Sequence, residues 1–153
     1  MMGLFLIITG VVLMYRVETI IKRPQYNLKI PMEDFLEDIT EWIRTMYPTR
    51  RESPSMVVSI LKSDAAGDFN YHTNEITIYL KNNPTIEILV DTQIHESIHH
   101  VWTDTKQKQL QFEKQLEEYG YWDHPSEILC RSLAKSLTER YMKSRFQKNW
   151  VWL

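Results

Sequence analysis

A chain of 153 residues, 43% of them hydrophobic, is long enough to bury one sizeable core, so we expect a single folded domain over residues 31–153, preceded by an apolar segment and linker over residues 1–30. With 18 basic and 20 acidic side chains the formal charge is −2, which lacks the electrostatic footprint of a nucleic-acid binder. The single cysteine, Cys130, excludes an internal disulfide and suits a reducing compartment.

The first segment, residues 3–15, is continuously apolar, and Arg16, Lys22 and Arg23 follow it. It is shorter than the roughly twenty residues that span a bilayer as a helix, and it lacks a basic leader and a small-residue cleavage site. Three readings stand: a short membrane anchor, a buried first strand, or an extension upstream of a start at Met14. The expected location is cytoplasmic, with membrane association through residues 3–15. Residues 31–46 then repeat apolar side chains at helical spacing, with Phe35, Leu36, Ile39, Trp42, Ile43 and Met46 on one face and Pro48 closing the helix.

A small sheet follows. Residues 56–61 form a β-branched run, residues 63–67 a turn cluster, and Phe69 to Tyr71 a short strand. Residues 75–80 alternate, with Ile76, Ile78 and Leu80 on one face and Thr77 and Tyr79 on the other. Asn83 and Pro84 read as the N-cap and first residue of a helix of about five turns ending near Thr103.

That helix carries His95-Glu96-x-x-His99. Residues four apart lie one above the other on a helix, so the two imidazoles can grip one small cation, and neutral imidazole is a good zinc ligand. Glu96, one residue on from His95, projects beside the cation. There it can take a proton from a water whose pKa the metal has lowered. Ile86, Val90, Ile94, Ile98 and Val101 form an apolar stripe around the motif. A third ligand must come from downstream, where His100, Asp104, Asp123, His124 and Glu127 are the candidates. His100 points about 100° round the helix from His99. The metzincin extension is excluded, because Trp102 and Thr105 stand where it needs Gly and His. Glu127 near the start of the next helix is favoured, with His124 as its rival for the metal or as an oxyanion group.

Residues 105–119 read as an exposed helical arm ending at Gly120. The last helix runs from about Pro125 to Lys148, with Leu129, Leu133, Leu137, Tyr141 and Phe146 facing inward, and the apolar residues 149–153 either dock on the body or meet a partner.

The pair of motifs, His95-Glu96-x-x-His99 and then His124-Pro125-Ser126-Glu127-Ile128 opening a helix, resembles the gluzincin branch of the zincins. It is closest to minimal gluzincins and short metallopeptidase-like proteins of phage and prophage genomes. The resemblance covers roughly residues 56–137. It implies an α+β zincin-like fold: a small mixed sheet whose edge strand precedes the motif helix, packed on backing and C-terminal helices. It also implies Zn2+ held by His95, His99 and Glu127, with Glu96 as general base in hydrolysis of a peptide or protein substrate by a zinc-activated water. The alternative is a non-catalytic zincin-fold protein that binds a partner. Larger gluzincins carry an Asp four residues after the ligand Glu to support a zinc histidine, and Arg131 stands there in this chain. Asp91, one turn before His95, is a candidate substitute. Cys130, on the same helix as Glu127, reads as a buried small hydrophobe. Tyr71, His72, Tyr121 and His124 are candidate oxyanion groups.

Overall fold

The computed structural model describes Tyr26 and residues 28–146. Within them the chain is α+β, with α1 at Met32–Met46, β1 at Ser55–Ser59, β2 at Gly67–Asn70, β3 at Glu75–Tyr79, α2 at Ile86–Trp102, α3 at Lys106–Tyr119 and α4 at Pro125–Phe146. A single 3₁₀ turn, Leu80–Asn82, joins β3 to the loop before α2.

The apolar stripes meet around α2. Phe35, Leu36, Ile39 and Ile43 of α1, Ile76 and Ile78 of β3, Leu89, Val90, Ile94 and Ile98 of α2, and Cys130, Ala134, Leu137 and Tyr141 of α4 form one buried cluster. Tyr26, Leu28 and Ile30 pack against it ahead of α1. α2 is buried on both its sheet-facing and helix-facing sides, so polar residues such as Thr92, Gln93, Ser97 and His100 are buried along with its apolar ones. A polar thread crosses the same interface: Thr40 of α1 meets Ser97 at 2.8 Å and accepts from Gln93 Nε2 at 2.8 Å.

The sheet is mixed, in the order β1-β3-β2. β1 runs parallel to β3 with Ser55 opposite Glu75, and β2 runs antiparallel to it with Gly67 opposite Ile78. The strand before the motif helix is therefore the central one, not an edge as the resemblance implied. Alternation specifies which face of β3 is buried but carries no information on its neighbours. The edge that borders α2 is β2.

Two local expectations are corrected. The cap of α2 is Thr85, whose hydroxyl accepts from Ile88 N–H. Asn83 is buried and does a different job. Its Nδ2 donates to the carbonyls of Ala66 and Tyr79 at 2.8 and 2.9 Å, and its Oδ1 accepts from Thr92 at 2.7 Å, tying the strand ends to α2. In α4 the buried stripe is Glu127, Cys130, Ala134, Leu137 and Tyr141, so Leu129 faces solvent. Turning Glu127 towards α2 rotates Leu129 outward.

Residues 3–15 and 149–153 lie outside the described residues. Among the described residues no helix is long and apolar enough to cross a membrane. The longest, α4, carries Arg131, Lys135, Glu139, Arg140, Lys143 and Arg145 along its length, and such charges are costly in hydrocarbon. The expected cytoplasmic location with membrane association through the N-terminal segment is accordingly withdrawn.

Candidate metal centre

α2 and α4 cross so that three side chains expected to act together converge. The helical spacing places the His95 and His99 rings with centroids 4.7 Å apart and their Nε2 atoms 3.0 Å apart. Pro125 opens α4, and the first turn presents Glu127 to that pair. Glu127 Oε1 lies 3.0 Å from His99 Nε2, and Oε2 lies 3.1 Å from His95 Nε2. One ligand atom from each residue falls within 4.8 Å of the others, an arrangement able to hold a metal ion. Oε2 meets His95 outside hydrogen-bonding geometry, so this buried oxygen lacks a hydrogen-bond partner. Two imidazole nitrogens and an orphaned carboxylate oxygen facing one point are a donor set suited to a small cation.

The electrostatics agree with that description. Burial raises the Glu127 pKa, but the contacts with His95 and His99 more than offset it and hold the carboxyl well below its ordinary range. His95 is shifted up, burial being outweighed by Glu127, Glu96 and Asp91. Glu96 is buried beside the cluster and bonded to none of the three. Burial, opposed by His95 and reinforced by Glu127 and Asp68, pushes its pKa up to about 8. A positive charge among the ligands would lower it towards the range of a general base.

The rival residues have other roles. His124 is buried, with Nδ1 accepting from Ser126 N–H at 3.1 Å and Nε2–H donating to the Phe112 carbonyl at 3.1 Å, so both ring nitrogens are engaged away from the cluster. His100 packs edge-on to Phe69 and meets Asn74 Oδ1 at 3.0 Å. Asp104 accepts from Lys108 and Thr49, and Asp123 is exposed. Asp91 accepts from Thr138 of α4 at 3.2 Å, and Arg131 donates to the Trp122 carbonyl at 2.7 Å. Cys130 is buried as expected, with Sγ 3.9 Å from Nδ1 of His99. Of the four candidate oxyanion groups, Tyr71 and Tyr121 border the cleft. The Tyr71 hydroxyl donates to Glu113, and burial, then Glu127 and Glu96, raise the Tyr121 pKa to about 12. His72 is exposed.

The cleft has two lobes meeting at Gly67, His95, Glu96 and Tyr121. Several of its walls were not anticipated from sequence. Gly67 and Phe69 belong to β2, while Phe112 and Leu116 belong to the arm α3, whose polar composition hides them. A Cβ at Gly67 would stand 2.7 Å from Thr92 Cγ2 and 3.0 Å from Glu96 Cγ, so the missing side chain lets β2 lie directly on the motif helix. The only local hint of this was a Gly at the start of a strand beside a turn cluster. No protein-family model matches this chain, and no curated protein or solved structure matches it.

Proposed function

We propose that this protein is a zinc-dependent metallopeptidase of the gluzincin type, with a zincin-like arrangement of sheet and helices. The observation that carries the reading is the convergence of His95, His99 and Glu127 beside a buried Glu96 that ligates nothing. Ligand atoms on a tetrahedral zinc at 2.0–2.1 Å stand roughly 3.3 Å apart, close to the 3.0–3.1 Å separations here. Zinc, when bound, supplies a Lewis acid that polarises a carbonyl oxygen and acidifies water. A site serving structure alone has no use for a carboxylate beside an open cleft.

In this reading His95, His99 and Glu127 hold the ion, with His99 and Glu127 buried and His95 bordering the cleft. Glu96 accepts the proton of the attacking water as its oxygen bonds to the peptide carbonyl carbon, then gives that proton to the leaving amine as the C–N bond breaks. β2 offers an edge beside the cleft along which an extended peptide can lie.

The test has two arms. Purified protein should hold one zinc per chain, and His95→Ala, His99→Ala and Glu127→Ala should each lose it; retention in any of the three would sink the ligand set. Glu96→Gln should keep zinc and fold while lowering cleavage of casein by roughly a hundredfold or more. A wild type that binds zinc yet cleaves nothing would transfer the site to a non-catalytic, partner-binding role. Arg131 in place of the supporting acid is the feature that favours that second reading.

A further inference from the structure

The lobe of the cleft on the His95 side, about 410 Å³, is lined by the turn before β2, by α2 and by α4 with the loop that leads into it. The turn contributes Ala65, Ala66 and Gly67, whose small side chains leave room. The Ala65 and Ala66 carbonyls accept from Asn82 Nδ2 at 2.6 Å and Asn83 Nδ2 at 2.8 Å, which fixes that wall. α4 contributes Arg131, about one helical turn after Glu127, and the loop before α4 contributes the exposed Trp122. Apart from His95 and Glu96, the charged groups on this lining are Asp64, Asp91 and Arg131.

Arg131 is a cation held in place without an anion. Its Nη2 donates to the Trp122 carbonyl at 2.7 Å, and its guanidinium lies 5.8 Å from the centroid of the Trp122 ring. Both contacts come from one residue, and together they restrain a side chain that otherwise has many rotamers. Among the described residues no carboxylate lies within ion-pair distance of Arg131. Asp91 accepts from Thr138 and has Lys135 as a neighbouring cation, while Asp64 is exposed. A guanidinium carries five N–H donors in a planar fork, and only one of them is engaged here. The rest of the fork is free to meet both oxygens of a carboxylate at once.

We propose that Arg131 is a specificity-determining residue that receives a carboxylate of the substrate, supplied by the free end of the peptide or by an Asp or Glu side chain. The proposal rests on the metallopeptidase reading, because it takes the bound chain to be the one presented to His95, His99 and Glu127. The lobe adjoins His95 and Glu96, so a short extended segment joins a carboxylate on Arg131 to a peptide bond at the cluster. The base also explains a departure from the family pattern. An acid at this position would support a zinc histidine, whereas Arg131 turns away to Trp122 and places a positive charge in the cleft. Hydrogen bonds to an ionised partner contribute roughly tenfold or more in affinity, and salt weakens them where solvent reaches the pair.

The experiment uses the zinc-loaded full chain and measures Kd by calorimetry for acetohydroxamate and for the monohydroxamates of succinic, adipic and suberic acid, each also as its methyl ester. These flexible chains carry a carboxylate at graded distances from the zinc-binding group, and the ester removes its charge. At one length or more the free acid should bind roughly tenfold more tightly than its ester, and added salt should shrink that preference. Arg131→Gln should bring acid and ester to within about twofold, with acetohydroxamate as the reference for a loaded metal site, and Arg131→Lys, which keeps the charge but not the fork, should retain part of the preference. Lys143→Gln, which removes the same charge from the far end of α4, should leave the preference intact. Mass spectrometry of casein digests then separates the two sources. Cuts at one fixed distance from Asp or Glu mark the side chain, cuts confined to the end of the chain mark the terminal carboxylate, and either bias should disappear in Arg131→Gln. Free acids that bind no better than their esters at every length, or a preference that survives Arg131→Gln, overturn the proposal and leave the metal reading intact. Failure to bind zinc or acetohydroxamate overturns both.

Discussion

Gly67→Ala tests the packing of β2 on the motif helix. The added methyl would sit 2.7 Å from Thr92 Cγ2, 3.0 Å from Glu96 Cγ and 3.1 Å from Glu96 Oε1. Carbon atoms prefer roughly 3.5 Å or more, so relief requires a movement of about 0.8 Å against Thr92 and about 0.5 Å against Glu96. Among the described glycines only Gly120 has a positive φ, so the penalty at Gly67 is steric and owes nothing to backbone conformation. Overpacking of this degree costs about 1–3 kcal/mol. A catalytic group displaced by a sizeable fraction of an ångström loses about ten- to a hundred-fold in rate. Gly67→Ala should therefore keep one zinc per chain, unfold at lower urea and lose kcat more than KM. Adding Thr92→Ser removes Cγ2 but keeps the hydroxyl that donates to Asn83. The double variant should regain most of the stability and little of the rate, because the Glu96 contacts remain. Wild-type kcat in the single variant, or a rate fully restored by Thr92→Ser, would refute the argument that Gly67 positions Glu96.

Two further predictions concern residues behind the site. His100 is buried, and burial first, then the charges of Arg51 and Arg44, lower its pKa from 6.5 to about 4. Between those values the unfolded chain takes up a proton that the folded chain refuses, so stability falls as pH drops from 6.5 to 4, by up to about 3 kcal/mol from this group. Urea unfolding at pH 7 and pH 4.5 should show a smaller acid loss in His100→Gln than in wild type, and equal losses would remove His100 as the cause. Cys130 Sγ is the group facing His99 Nδ1. Cys130→Ala should weaken zinc binding about tenfold in competition with a chelating dye, and Cys130→Ser should restore it, since partners behind a ligand tune its affinity. An affinity within twofold of wild type in Cys130→Ala would show that the thiol only fills space.

Features written at short range along the chain were legible without a structure. The i, i+4 spacing of His95 and His99 put two ring nitrogens on one helical face, because helical geometry relates those positions whatever surrounds them. Pro125 marked the start of α4, Gly120 ended α3 with φ +69°, and the apolar repeat of α1 matched its buried face. Alternation in residues 75–80 identified Ile76 and Ile78 as core. Other features were decided only by contacts between distant segments. Pairing of β1 and β2 on either side of β3 made the strand before α2 central, a matter of partner choice on which alternation is silent. The same chemistry suits Asn83 and Thr85 to a cap, and the hydrogen bonds of Asn83 to Ala66, Tyr79 and Thr92 left the cap to Thr85. Glu127 and His124, three residues apart, were both candidate partners for the histidine pair, with Glu127 favoured by its place on the helix. The rotation of α4 against α2 brought Glu127 to within 3.0 Å of His99, and the Phe112 carbonyl took the His124 ring. Local periodicity is enforced by bonds spanning four residues. The approach of β2, α2 and α4 is enforced by packing across gaps of about thirty, and residue spacing records nothing of how those surfaces will meet.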